Sequence, residues 1–109
     1  MRIQFEIDSA KLDAVGVALV EKLGTALADP KLTAYRFEIA GHSDASGDGE
    51  YNLRLSTQRA NAVRDYLISK YRIAPERLTA MGYGSSKPVN AGNPIDPANR
   101  RVQITNLGR

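Results

Sequence analysis

The spacing of apolar residues in this chain switches repeatedly between the period of a β-strand and that of an α-helix. Residues 2–7 and 33–41 alternate between apolar and polar side chains, which predicts two half-buried strands. Residues 11–28 and 50–71 repeat at helical spacing and predict two long amphipathic helices. Residues 77–83 and 101–105 predict two further strands, separated by a long loop over residues 84–99 that is rich in Gly, Pro and Asn.

The alternating strands have one apolar and one polar face, and a sheet of this kind is covered on one side only. The chain is therefore predicted to form an α/β (α+β) two-layer sandwich in the order β-α-β-α-β-β, with a mixed four-stranded sheet and both helices on one face. The two strand–helix–strand units favour right-handed parallel crossovers, and the last strand can pair antiparallel.

The first helix is predicted to pack through a single apolar stripe. Asp8 and Ser9 supply residues of the N-cap type before it, and Asp29-Pro30 ends it because the residue before proline avoids the helical region. The stripe comprises Leu12, Val15, Leu19, Leu23, Ala26 and Leu27.

Composition narrows the class of protein. The 109 residues correspond to one domain, residues 1–109, and the absence of cysteine excludes disulfides and thiolate metal sites. The net charge of +3 is interspersed along the chain, which argues against a nucleic-acid partner. No apolar run is long enough to span a bilayer, so contact with a membrane is expected only through segments absent from this chain. The first residues enter a strand pattern without a signal peptide, which predicts either a cytosolic protein or a domain of a longer exported chain.

The second helix carries two polar residues inside its apolar arc. On a helical wheel that starts at Tyr51, the arc comprises Leu55, Ala62, Val63 and Tyr66, and the solvated side comprises Arg54, Thr57, Gln58, Asn61, Arg64 and Asp65. Arg59 and Asn52 fall within the apolar arc, at about 80° and 100° from Tyr51. A guanidinium group keeps its proton, and its unpaired burial is costly, so an anionic group must meet Arg59. The sequence leaves open an internal carboxylate, from Asp44 or Asp8, or the carboxylate of a ligand.

Asp44 lies in the Gly- and Ser-rich loop that leads into the same helix. An aspartate can bind an ammonium group, and an arginine can bind a carboxylate. Together they suit a zwitterion, such as the head group of an amino acid. The alternative is that Asp44 and Asp48 only cap turns and the helix. Asp44, Ser46, Asp48 and Gly49 also resemble the first half of an EF-hand calcium loop, but Leu55 stands where the bidentate glutamate is required.

The sequence contains no motif of an enzyme, and no metal or cofactor is expected. The residue types of His42-Ser43-Asp44 occur in catalytic triads, but three contiguous residues on an extended segment cannot form the relay geometry. His42 is the only histidine, and it has no cysteine to share a zinc ion.

Two linked motifs surround the Asp44 loop and the start of the second helix: Gly41-His42-Ser43-Asp44-x-x-Gly47 and Tyr51-Asn52-x-x-Leu55-Ser56-x-x-Arg59-Ala60-x-x-Val63. They resemble the OmpA-like peptidoglycan-binding domain of outer-membrane porins, Pal-type lipoproteins and flagellar stator proteins. Further matches, which extend the resemblance over nearly the whole chain, are Phe5, Asp8-Ser9, Gly82-x-Gly84, Lys87-Pro88 and Asn99-Arg100-Arg101-Val102. Ser43 replaces the usual threonine, and it keeps the hydroxyl group.

The resemblance implies a non-catalytic module of the periplasm that anchors an outer-membrane or other envelope protein to peptidoglycan through diaminopimelate in the stem peptide. It implies Asp44 and Arg59 as the principal ligand residues, with Asn52 and Leu55 in support. Asp8 and Arg100 stand in matching segments and are weaker candidates, expected to support the ligand-binding residues rather than to contact the ligand. The alternative is a protein-interaction or homodimerisation module of a stator or secretion-system protein, with a gated or vestigial wall-binding site.

Overall fold

A computed structural model describes residues 2–3, 10–45, 47–87, 92–93 and 101–109. Its elements are β1 (Arg2–Ile3), α1 (Ala14–Leu27), β2 (Arg36–His42), α2 (Gly49–Tyr71), β3 (Leu78–Gly82) and β4 (Arg101–Gly108), with short 3₁₀ turns at Pro30–Leu32 and Pro75–Arg77. No helix among these residues is long and apolar enough to cross a membrane.

The sheet is mixed, and its strand order is β1-β4-β2-β3. β2 and β3 are parallel, in a register that runs from Phe37 opposite Leu78 to Gly41 opposite Gly82. β4 is antiparallel to both β1 and β2. The parallel pair is joined through α2, since parallel strands require a crossover connection. The predicted parallel pairing of two strands that are connected by a helix is confirmed for β2, α2 and β3.

Both helices and the inner face of the sheet share one hydrophobic core. Its fully buried side chains include Val20 of α1, Val63 and Leu67 of α2, Ile39 of β2 and Val102 of β4. The α/β sandwich with two long helices on one face of a mixed sheet, which the sequence predicts, is confirmed.

The boundaries and contact face of α1 differ from the prediction. Asp13 is its N-cap, and the Asp13 carboxylate accepts a hydrogen bond from the Gly16 N–H at 2.7 Å. Val15, which was assigned to the apolar stripe, is 61% exposed, whereas Val20 is fully buried. The reason is a close approach at Gly24, where a Cβ atom would overlap the Tyr71 ring of α2. A helical wheel that counts only apolar side chains leaves out glycine, and it therefore misplaces the face of α1 that packs against α2.

Two strands also differ in length from the prediction. β2 begins at Arg36 rather than residue 33, because the 3₁₀ turn at Pro30–Leu32 precedes it. β4 continues to Gly108 rather than ending at Thr105, because its backbone pairs with β2 back to Arg36.

Candidate functional site

The loop after β2 places Asp44 in a buried position. Asp44 is only 5% exposed, and its backbone carbonyl accepts a hydrogen bond from the Asn52 Nδ2 atom of α2 at 3.4 Å. Just before it, the Ser43 N–H donates to the Gly84 carbonyl at 2.8 Å. The backbone around Asp44 is thus attached both to the first turn of α2 and to the segment after β3.

Arg59 lies on the buried face of α2, as the wheel predicts. It is 8% exposed, and Leu55, one turn earlier, is also buried. Asn52 is half-buried, and the hydrogen bond to Asp44 brings these two predicted site residues together. Neither Asp44 nor Arg59 is without an interaction partner. Their burial is consistent with that, because an unpaired buried charge is strongly destabilising.

The centre of the buried face of α2 was not predicted correctly. Ser56, Ala60 and Leu67 are among its most buried residues, whereas Tyr51 is 37% exposed. The face is rotated away from Tyr51, toward the side of α2 that approaches glycines of the sheet. The glycines were visible in the sequence, but their contact with α2 was not.

Ser56 joins α2 to the end of β3. Its hydroxyl donates to the Leu53 carbonyl at 2.8 Å and accepts from the Gly84 N–H at 3.0 Å. A Cβ atom on Gly82 would overlap Thr57, which shows how closely the helix lies on the strand. Ser56 is part of the matched motif, but the sequence alone indicated no job for it. It holds the segment of Gly84 against α2, and the Ser43 N–H in turn bonds the loop of Asp44 to that segment.

His42 is the last residue of β2 and is 4% exposed. Its ring stacks on the ring of Tyr83, with 5.4 Å between the two ring centres. Lys87 lies in the loop that follows β3, and its Nζ atom is 4.1 Å from the centre of the Tyr83 ring. Burial, and then the positive charges of Arg101 and Lys87, lower the pKa of His42 to about 4. The imidazole is therefore neutral at physiological pH and forms part of the packing.

Asp48 has the capping role that the sequence offered as an alternative. It is the N-cap of α2, and its carboxylate accepts from the Glu50 N–H at 2.9 Å. Among the residues with described positions, no group of three or more His, Cys, Asp or Glu could hold a metal ion. Asp8, Arg100 and most of the predicted loop over residues 84–99 lie outside the described residues.

Asp44 and Arg59 are both buried, the first in the loop that leads into α2 and the second on the inner face of that helix, and the Asn52 amide bonds the helix to the loop. A carboxylate can bind an ammonium group, and the planar fork of a guanidinium suits a carboxylate. The arrangement is chemically suited to a small zwitterion.

Comparison with known proteins identifies a family. The model of the OmpA family matches residues 4–101. The chain is 37% identical over 103 residues to outer membrane porin F of Pseudomonas aeruginosa, covering 93% of this chain and 29% of the porin. It is 38% identical over 109 residues to the peptidoglycan-associated lipoprotein of Rhizobium meliloti, covering 98% of this chain and 60% of the lipoprotein.

A solved structure agrees with this assignment. The crystal structure of the peptidoglycan-associated lipoprotein from Burkholderia pseudomallei superposes with a TM-score of 0.80 at 30% identity, covering 96% of this chain and 88% of that one. The chain spans less than two thirds of the length of the two curated relatives above. The family match over most of its residues and these identities show that this protein belongs to the OmpA family.

Proposed function

We propose that this domain binds peptidoglycan non-covalently through the diaminopimelate of the stem peptide. In this way it anchors a larger envelope protein to the cell wall from the periplasm. It is a binding module and not an enzyme. Two relatives named as peptidoglycan-associated lipoproteins support the ligand class.

The observation that carries the proposal is the burial of Asp44 and Arg59, at 5% and 8% exposure, on one helix and the loop that leads into it. The side chain of diaminopimelate ends in an ammonium group and a carboxylate on the same carbon. Asp44 binds the ammonium group, and Arg59 binds the carboxylate through two parallel N–H donors. Asn52 supports the loop, and Leu55 provides an apolar contact for the aliphatic part of the ligand.

The ligand itself provides the sharpest test, because it leaves the protein unchanged. Titration calorimetry should show binding of free diaminopimelate in the range of about −4 to −8 kcal/mol, which corresponds to millimolar to micromolar dissociation constants. The matched comparison uses two tetrapeptides, L-Ala-γ-D-Glu-X-D-Ala with diaminopimelate or lysine at X, because the α-ammonium and α-carboxylate groups of both residues are then held in peptide bonds. The lysine side chain has the same terminal ammonium group but lacks the adjacent carboxylate. The lysine peptide should bind at least about tenfold more weakly, since the contact with Arg59 is lost. Equal affinity for the two peptides would contradict the role of Arg59.

Variants test the same site with intact cell wall. Arg59→Ala and Asp44→Ala should each reduce the amount of domain that sediments with purified sacculi. Arg36→Ala is a matched control, because Arg36 is exposed at the start of β2. Circular dichroism of each variant establishes that the fold is kept. Full sedimentation of both folded variants would exclude the proposed site.

A further inference from the structure

A groove runs along the flank of α2 beside the proposed site. It has a volume of about 390 Å³ and is bounded by Ala10, Tyr51, Arg54, Leu55 and Gln58. A volume of this size lies within the range of roughly 300–1,000 Å³ that is usual for small-molecule sites. It is large enough to hold one residue of a peptide.

The groove adjoins the proposed diaminopimelate site. Its four residues from α2 have the spacing i, i+3, i+4 and i+7, so they form one continuous row on the helix surface. Leu55 belongs both to this row and to the proposed site. Arg59 follows Leu55 by four residues, so it lies one helical turn farther along α2. Leu55 is therefore the residue at which the groove and the proposed site meet.

Two polar side chains of the groove are available to a ligand. Arg54 and Gln58 are exposed, and within the part of the chain that the structure describes neither side chain makes a hydrogen bond or an ion pair. Arg54 lines the groove from the exposed surface of α2, and its guanidinium group keeps its positive charge at all physiological pH values. The positive charge at this position therefore favours an anionic ligand.

We infer, on the basis of the function proposed above, that this groove binds a second carboxylate of the stem peptide, from the residue next to diaminopimelate. Arg54 binds the carboxylate, and Gln58 forms hydrogen bonds with the adjoining peptide group. The ring of Tyr51 and the side chain of Leu55 cover the aliphatic part of that neighbouring residue. Two neighbours of diaminopimelate carry such a carboxylate: the γ-linked D-glutamate on one side, and a terminal D-alanine on the other.

The test compares free diaminopimelate with the tetrapeptide L-Ala-γ-D-Glu-diaminopimelate-D-Ala by titration calorimetry. The wild-type domain should bind the tetrapeptide about fivefold more tightly than the free amino acid, because a second charge-assisted contact is made. Arg54→Gln should remove this gain and leave the affinity for free diaminopimelate unchanged. Arg36→Gln is the matched control, since Arg36 is an exposed arginine on another element, and its Nη2 atom lies 3.5 Å from the carbonyl of Arg109.

Amidated tetrapeptides identify the source of the carboxylate. One has the α-carboxylate of D-glutamate amidated, and the other the terminal carboxylate of D-alanine. The peptide that lacks the relevant carboxylate should bind wild type about fivefold more weakly than the unmodified tetrapeptide, with no further loss in Arg54→Gln.

The inference is overturned if Arg54→Gln binds the unmodified tetrapeptide as tightly as wild type, or if both amidated peptides keep full affinity. An equal loss for free diaminopimelate would also overturn it, because Arg54 would then belong to the first site. Failure of the proposed function has a different signature, in which wild type binds neither compound, and the inference falls with it.

Discussion

The backbone of α2 at Ser56 lies against Gly41 of β2, so closely that a Cβ atom at position 41 would overlap the Ser56 carbonyl oxygen. This contact sets the distance between the helix that carries Arg59 and the strand that leads to Asp44. Backbone atoms on both sides cannot move away as the end of a flexible side chain can.

Gly41→Ala should therefore destabilise the domain by at least about 2 kcal/mol, because the added methyl group forces the helix from the sheet. Urea unfolding followed by circular dichroism measures the change. Gly49→Ala is the control, since a Cβ atom at position 49 meets nothing within 4 Å. A loss no larger for Gly41→Ala than for this control would show that the helix can shift without cost.

Arg77 should be a major stabilising residue, although nothing in the sequence patterns singled it out. Its guanidinium donates to the carbonyls of Leu27, Leu32 and Tyr35 at 3.0, 2.6 and 3.1 Å, so it joins the end of α1 to the segment before β2. Arg77→Gln should lower the free energy of unfolding by about 2–4 kcal/mol, because these partly buried carbonyls lose charged donors. Arg36→Gln should change it by less than about 0.5 kcal/mol. Similar midpoints in urea for the two variants would contradict this role.

Arg72 adopts the left-handed conformation that usually selects glycine after a helix. Its φ and ψ are 54° and 36° at the C-cap of α2. Arg72→Gly should stabilise the domain by roughly 0.5–1 kcal/mol, because the strain of a side chain in this region outweighs the greater entropy of glycine in the unfolded chain. Thermal unfolding should show a higher Tm. Arg72→Ala keeps the strain and serves as the control, so a higher Tm for both variants would point to the loss of charge instead.

His42 should make the domain less stable in acid. Its pKa is about 4 in the folded state, against an ordinary value of 6.5. The unfolded chain therefore binds more protons between these values, and stability falls as the pH drops from 6.5 to 4. The loss from this group is at most about 3 kcal/mol. His42→Phe keeps a stacking ring without the titration, so its stability should depend less on pH over this range. An unchanged slope in His42→Phe would assign the acid sensitivity to other groups.

Asn52 should affect binding through the position of Asp44. Its amide donates to the backbone carbonyl of Asp44 at 3.4 Å, which is a long hydrogen bond. Asn52→Ala should weaken binding of diaminopimelate about threefold to tenfold, less than Asp44→Ala, because the loop loses a contact but the charged groups remain. Asn61→Ala is the control, as Asn61 donates its side-chain amide to the Thr57 carbonyl on the exposed side of α2. Equal affinities for the two variants would exclude this role.

The order of the described helices and strands followed from hydrophobic periodicity. Alternation in β2 correctly placed Phe37 and Ile39 toward the core, and helical spacing identified α2 to within one residue of its start. The inward position of Arg59 was also predictable, because its angle on the helical wheel depends only on the regular geometry of α2. The linked motifs gave the family, and the identity of the ligand remains a proposal that rests on them.

Tertiary contacts decided what periodicity could not. α1 packs against Tyr71 through Gly24, and Val15 is exposed as a result. α2 packs closely on Gly41 and Gly82 of the sheet, and Ser56 and Ala60 are buried as a result. The hydrogen bonds of Arg77 and Ser56 join segments far apart in the chain, and their spacing in sequence carries no periodic signal. The sequence by itself thus determined the elements, the inward arginine and the family, because these depend on local geometry and matched residues. Only the tertiary structure decided which helix faces meet and how the Asp44 loop is held, because both depend on the distance at which backbones pack.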